Sequence, residues 1–342
     1  MILIEPIRNG KWIKDGAYLI AIQYWAIENL DPEDTIVFPY ICDAHVQIGY
    51  FQNPELEVNF DYLEANKLSI VRRDTGGGAI YIDDLAANFC FSFPYRKHPS
   101  LLSNYGELYA PIVEILQDLG AKNVNFSGKN DLIIDGKKVS GAAMSLNGNR
   151  IYAGYSLLYD IDFDSLEKIL RPNRKKIEAK GITSVRQRVA KIKEYLKPEF
   201  ANLNAFEFKD LILDKLEKKS LQSFQKYQLS DQDWSQIDDL IQKKYKNWDW
   251  TFGTSPAYSY NRDARLSIGT INFSFEIENF RISKVKISGD FFVKKSLESL
   301  EKALQGCKLE QNELQKALET IDLENLFFTK ITAQEIIDVI LS

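Results

Sequence analysis

Apolar residues recur on a helical repeat in "GAYLIAIQYWAIENL" (residues 16–30), which predicts a helix near the start of the chain. The period then shortens. "TIVFPY", "AHVQIGYF", "LSIVRR", "GAIYI" and "NFCFSFPY" are short runs rich in β-branched and aromatic residues, the pattern of strands. "LLSNYGELYAPIVEILQDLG" (101–120) returns to helical spacing and stops at Gly120. Between Asn123 and Asp160 strands return, broken by the turns "DG" (135–136) and "NGN" (147–149). Helical patterns dominate 162–247. Strands follow around "RLSIGTINFSFEIENFRISKVKISGDFF", and three short helical segments end the chain.

Strands and helices are mixed without regular alternation, so an α+β fold is expected rather than a doubly wound sheet. A chain of 342 residues is long for one core, and two units are the natural expectation. The pattern changes at "NWDWTFGTSP" (247–256), which places the boundary near Trp248 and gives units of 1–247 and 248–342. The first is expected to be a large domain of mixed β-sheets flanked by helices, the second a small α+β domain. Sequence offers no catalytic cluster inside the second.

Composition removes several function classes. Hydrophobic residues make up 45% and charged residues 27%, as in ordinary globular proteins. A net charge of −5 argues against wholesale binding of nucleic acid. No apolar run approaches the roughly 20 residues of a membrane span, and "MILIEPIRNGKW" is too short and too charged for a signal peptide. Cys42, Cys90 and Cys307 are few, odd in number and widely spaced, which fits a reducing cytoplasm rather than a disulfide framework or zinc cluster. His45 and His98 alone leave little material for a histidine metal site or triad.

Three segments carry candidate chemistry. "SIVRRDTGGGAIYI" (69–82) sets Arg72 and Arg73 beside three consecutive glycines. Glycine in series permits φ > 0 and lets backbone N–H groups approach a ligand. A P-loop would need Lys-Ser/Thr after its last glycine and then a helix. Here Ala79, Ile80, Tyr81 and Ile82 read as a strand, so this is not a Walker loop. A tight hairpin with solvated arginines and a ligand-holding turn both remain open from these residues. In "SGKNDLIIDGKKVSGAAMS" (127–145), Asn130 and Asp131 sit where a loop meets a strand, and Lys138 precedes a run of small residues. A lysine there either is solvated in a hairpin or reaches a phosphate or carbonyl oxygen as a point charge. "RPNRKKIEAKGITSVRQRVAKIKEYLK" (171–197) holds ten basic residues. Its "KGITS" breaks the amphipathic pattern, and Thr183 or Ser184 can cap a following helix whose N–H groups suit an anion.

In this order and spacing, "RRDTGGGAIY", "SGKNDLIIDGKKVSG" and "KGITSVRQRV" resemble the lipoate–protein ligase A family. "WDWTFGTSPAYS" and "GDFF" resemble that family's C-terminal accessory domain, so the resemblance spans nearly the whole chain. It implies a biotin/lipoate ligase-like fold. It also implies ATP-dependent activation of lipoate to lipoyl-AMP and transfer of the lipoyl group to a lysine of an acceptor. Implied acceptors are lipoyl domains of 2-oxoacid dehydrogenase E2 subunits and the glycine-cleavage H protein, and the implied cofactors are ATP and Mg2+. By the same resemblance, Arg73, Gly78, Ala79, Ile80, Tyr81, Asn130 and Asp131 serve the nucleotide, with Asp131 a contact to magnesium. Arg72, Gly76, Gly77 and Gly78 serve lipoate, and Lys138 contacts both ligands as the catalytic residue. Lys180, Gly181, Ile182, Thr183 and Ser184 belong to the loop that closes over the adenylate and orders with it.

The chain departs from the family pattern around the acyl site. Ile82 stands where a histidine is usual, Asn88 lies two residues late, Tyr50 replaces an arginine and Lys129 another. The preferred acyl donor is therefore open. Two other readings share the fold: an ATP-independent octanoyl or lipoyl transferase, which needs an activated thiol, and a non-catalytic lipoate-binding protein. The "GRGRRG"-type loop of biotin ligases is absent.

Overall fold

The computed structural model describes residues 1–170, 185–220, 223–252, 260–278 and 281–342. Its largest sheet has eight strands in the spatial order Gln225–Lys226, Ile2–Leu3, Ile36–Tyr40, Ala87–Pro94, Arg150–Leu157, Lys137–Asn147, Asp131–Ile134 and Val124–Ser127. The first three strands run parallel and the rest pair antiparallel, so the sheet is mixed.

Period-2 patterning gives this sheet two unlike faces. On one, Phe89, Ile151, Ala153, Leu157, Leu132 and Met144 pack under the helices Tyr105–Leu119 and Ala205–Ser220. The first of these helices is capped by Asn104 and ends at Gly120, whose φ of 125° suits glycine. On the other face, the helix Gly16–Asn29 covers only one end, packing Ile20 and Tyr24 against Ile36, Phe38 and Cys90. Asp15 caps that helix through the N–H groups of Ala17 and Tyr18.

A three-stranded sheet stands beside this open end, ordered Ser69–Arg72, His45–Ile48, Ile80–Ile82. Its outer strands are joined by the glycine turn. The C-terminal unit has its own core. Strands Tyr260–Leu266, Gly269–Glu278 and Arg281–Gly289 pack Phe273, Phe275 and Ile287 against the helices Glu298–Leu304, Gln311–Glu319 and Ala333–Leu341. The mixed-sheet α+β architecture agrees with the expectation from the pattern. The short helix Trp248–Thr251, counted from sequence with the second unit, is hydrogen-bonded to Arg72 of the first. Among the described residues no helix is long and apolar enough to cross a membrane.

Candidate active site

Strand register builds the floor of the site. Tyr40 pairs with Asn88, Asn88 with Ser156, Ser156 with Gly141, and Gly141 with Asp131. These five residues form one row across five strands, roughly 19 Å long at ordinary inter-strand spacing. The adjacent row is Phe38, Cys90, Gly154 and Ala143, and the next is Ile36, Ser92, Tyr152 and Ser145. Small residues thus occupy the middle of the uncovered face and leave a trough. Asn88 Oδ1 and Ser145 Oγ on this face, and Nε2 of Gln23 in the helix above it, are buried without a hydrogen-bond partner among the described residues. Where the helix Gly16–Asn29 closes the trough, a small, mostly apolar cleft is lined by Gln23, Ile27, Phe38, Cys90 and Tyr152. The Tyr152 hydroxyl donates to Gln23 Oε1 at 2.5 Å.

Lys138 stands at the far end of the polar row. Its Nζ lies 2.7 Å from Asp131 Oδ1, and an added Cβ at Gly141 would meet that ammonium at 2.8 Å. A β-bulge aims it there. Leu132 pairs with Ser140 but Ile133 pairs with Lys138, so Val139 is an extra residue and both Val139 and Ser140 are buried. Regular alternation from Ser140 would have turned Lys138 to the core face; the bulge returns it to the trough beside Asp131. Lys137, next to it, is exposed. Asn130 closes the corner, donating from Nδ2 to the Ala142 carbonyl at 2.6 Å while its own carbonyl accepts from Ala142 N–H at 2.9 Å. The Ala190 N–H donates to the Lys138 carbonyl at 2.9 Å, so the basic segment rejoins the described chain beside this lysine. Lys180, Gly181, Ile182, Thr183 and Ser184, expected over the adenylate, lie outside the described residues.

The two arginines of the glycine turn have separate tasks. Arg73 Nε donates to Thr75 Oγ1 (3.0 Å), Nη1 to the Gln47 carbonyl (3.2 Å), and Nη2 to the carbonyls of Gly76 (2.9 Å) and Gly78 (2.8 Å). Burial lowers its pKa to about 10, with Tyr152 and Tyr40 acting against the shift. Among the described residues no carboxylate lies within ion-pair distance of it, so its charge stands uncompensated at the trough's other end. Arg72, expected at lipoate, is 1% exposed and points away. Its Nε donates to Trp250 O (2.9 Å), Nη1 to the carbonyls of Gly49, Tyr50 and Gln52, and Nη2 to Thr251 O (2.7 Å). Through these bonds it ties the turn to the helix Trp248–Thr251.

The accessory unit covers the glycine turn. Gly77 N–H donates to the Phe291 carbonyl at 3.1 Å, and a Cβ on Gly76 would meet that carbonyl well inside contact distance. Gly77 itself has φ 92° and faces the Phe292 ring. Gly78 is more open, with Asp290 Cβ its nearest neighbour at 3.9 Å. Ala79 and Tyr81 pack toward Val46, Val58 and Ile169, while Ile80 packs toward the larger core. Strand Ile80–Ile82 is an outer strand of its sheet, which leaves one row of backbone groups outside the ladder.

Residues 15–217 match the model of the lipoyl protein ligase A/B catalytic domain, and residues 255–340 match the bacterial lipoate protein ligase C-terminus. The chain belongs to the lipoyl protein ligase A/B family. It is 46% identical to a lipoate–protein ligase of Streptococcus pyogenes and 44% identical to lipoate–protein ligase 2 of Staphylococcus aureus, each over the full length of both chains. Its fold is similar to that of Plasmodium falciparum LipL1, solved in complex with lipoate (TM-score 0.77, 16% identity, covering 100% of this chain and 98% of that one). A lipoate–protein ligase A bound with ATP aligns with a TM-score of 0.57 at 23% identity, covering 70% of this chain and 94% of that one. As a member along its whole length, the chain is an enzyme of the ligase class.

Membership of this family directs attention to thiols and metals. Burial pushes the Cys90 thiol up to about 12 and Cys42 well above the ordinary thiol range. Cys307 lies in the accessory unit, half-buried, and burial raises it too. Each of these shifts is opposite to the lowering that activates a thiol. Around Asp131 the donor set is one carboxylate paired with an ammonium. The described residues hold no group of three or more His, Cys, Asp or Glu suited to a metal ion. One carboxylate paired with an ammonium does not by itself build a resident metal site.

Proposed function

We propose that the chain activates lipoate with ATP to lipoyl-AMP, releasing pyrophosphate, and then transfers the lipoyl group to a lysine of an acceptor lipoyl domain. The observation that carries this reading is the trough itself, with a lysine–aspartate pair at one end and an uncompensated arginine at the other. Lipoate and ATP are both anions, and their reacting atoms meet only if cations and N–H dipoles hold them in line. In this reading the trough over Phe38, Cys90, Gly154 and Ala143 takes the aliphatic chain and ring, and Arg73, through the turn that it shapes, faces the carboxylate. Gly76, Gly77, Gly78, Ala79, Ile80 and Tyr81 offer backbone groups, while Asn130, Asp131 and Lys138 face the phosphates of MgATP. The lipoate carboxylate attacks the α-phosphorus and pyrophosphate leaves. In the second step the neutral acceptor amine attacks the acyl carbonyl and AMP leaves. Lys138 Nζ stabilises the charge that builds on oxygen in both.

The division of labour we infer is a catalytic unit of 1–247 and an accessory unit of 248–342 whose contact with the turn must loosen for the second step. A lysine on a cytoplasmic E2 lipoyl domain or H protein is the proposed acceptor; S. pyogenes and S. aureus relatives carry the lipoate–protein ligase name.

The test is pyrophosphate release on mixing enzyme, lipoate and ATP without acceptor, followed by mass spectrometry of an added lipoyl domain. Release without acceptor and a lipoyl-sized mass gain on one lysine are expected. Acyl transfer that ignores ATP and leaves a thioester on Cys42, Cys90 or Cys307 would instead establish the transferase reading. Binding of lipoate with neither product would establish the non-catalytic one.

A further inference from the structure

Residues 244–251, where the two units meet, grip the glycine turn through side chains that the ligation chemistry above does not use. Ile241–Tyr245 is a single turn of π-helix, closed by the Lys246 N–H donating to the Ile241 carbonyl at 2.8 Å. Such wide turns are rare and cluster at functional sites. This one lets two successive residues reach a single carboxylate: Lys244 Nζ pairs with Asp74 Oδ1, and the Tyr245 hydroxyl donates to Asp74 Oδ2 at 2.7 Å. Asp74 is the residue between Arg73 and Thr75. Burial raises its pKa and Lys244 opposes that rise, so the carboxylate's charge depends on its lysine.

The ammonium is caged as well as paired. It lies 4.3 Å from the centroid of the Trp250 ring, 5.1 Å from Tyr245 and 5.5 Å from Tyr24. Trp250 then closes a circuit with the turn: its Nε1 donates to the Arg72 carbonyl at 2.9 Å, and Arg72 Nε donates back to the Trp250 carbonyl at 2.9 Å. Both backbone neighbours of Arg73 are therefore held by one short stretch, 244–251. Arg73 in turn holds the carbonyls of Gly76 and Gly78.

We propose that Lys244 and Trp250 are positioning residues for adenylation, which fix Arg73 and the glycine turn through Asp74 and Arg72 without touching substrate. The inference rests on the ligase reading above. A displacement of about 1 Å in a group that aligns reactants costs on the order of 10²-fold in rate. Losing the ammonium removes the only cation paired with Asp74 among the described residues and frees the turn to shift by such an amount.

Pyrophosphate release by the full-length wild-type enzyme with lipoate and ATP is measured first. If it is absent, the ligase reading fails and the variants are not at issue. If it is present, Lys244→Met, Lys244→Arg and Trp250→Phe are compared well below their melting transitions. Lys244→Met is expected to lower kcat for adenylation by roughly 10- to 100-fold with a cooperative unfolding transition retained. Lys244→Arg, which keeps the charge, is expected within about threefold of wild type, a rescue that loss of packing alone does not produce. Trp250→Phe keeps a ring over the ammonium but loses the bond to Arg72, and an intermediate fall is expected. Wild-type kcat and KM in Lys244→Met, or an arginine variant as slow as the methionine one, would overturn the proposal. Should Lys244→Met fail to fold, Trp250→Phe decides: a wild-type rate in that variant overturns it.

Discussion

Gly76 in the turn and Gly154 on the broad sheet both lack room for a methyl group, but the atoms that exclude it differ. At Gly154 the obstacles are Cys90 Sγ at 2.7 Å and the Phe89 carbonyl at 3.2 Å, fixed parts of the next strand. At Gly76 the obstacle is the Phe291 carbonyl of the accessory unit. The first glycine keeps a permanent floor low. The second admits a piece of protein that belongs to a different core. One set of small residues makes space, and the other is occupied.

That contrast breaks at its largest point if Lys138 is not the trough's working cation. Lys138→Ala is expected to slow adenylation, and transfer from preformed lipoyl-AMP, by about 10²–10³ each, roughly 3–4 kcal/mol. Single-turnover assays of the two steps measure it. Lys138→Arg should recover only part, because a planar fork does not replace a compact ammonium between phosphate and carbonyl.

On the turn's side, Asp83 follows the strand that leaves it and is 8% exposed. Burial pushes its carboxyl from 3.8 up to about 6, so the folded chain binds this proton more tightly than the unfolded chain. Its cost to stability is absent below about pH 4, grows as pH rises through 4–6, and is complete above 6, at about 3 kcal/mol. Asp83→Asn should therefore raise the melting temperature at pH 7.5 and leave it nearly unchanged at pH 4. Equal shifts at both pH values would contradict this.

Gly76→Ala sharpens the contrast directly. Overpacking of this kind costs about 1–3 kcal/mol, here taken from the contact between units. Small-angle scattering should report a more extended particle while the first unit's own melting changes little. An unchanged scattering profile would mean that the Phe291 loop yields without leaving. The smallest effect belongs to Lys137→Ala, expected within about 0.5 kcal/mol and at wild-type rate because that side chain is exposed. A crippled Lys137→Ala with a silent Lys138→Ala would reverse the register assigned to the strand.

Much of this was legible in the linear pattern. Alternation in "NFCFSFPY" and the helical repeat of 101–120 both correspond to the elements observed, because each buries a face against the same core. Lys138 and Asp131 were singled out by their company of turns and small residues. The bulge at Val139 that brings them together was not, since an extra residue in a strand leaves no mark on composition. The different surroundings of Arg72 and Arg73 were hidden for a related reason. Arg72 ends its strand and Arg73 begins the turn, so the two guanidinium groups part, one to the carbonyls of Trp250 and Thr251 and the other to those of Gly76 and Gly78. Ser156 and Tyr152 joined the site only through register, and Lys244 and Trp250 only through contacts more than 165 positions away along the chain.

The strand Ile2–Leu3 has a consequence for how the protein is made. It pairs on one side with Ile36–Tyr40 and on the other with Gln225–Lys226, and Arg8 nearby is bonded to Asp238. Arg72 likewise waits for Trp250 and Thr251. At a synthesis rate of about 5–20 residues per second, the ribosome delivers these partners roughly 11–50 s after the strand Ile2–Leu3. Until then the glycine turn has no frame on its hinge side and the sheet has an open edge at its first strand. The first unit therefore closes from both of its ends, and a pause or truncation just before residue 250 would leave the strands of the broad sheet made and the glycine turn without Trp250 and Thr251.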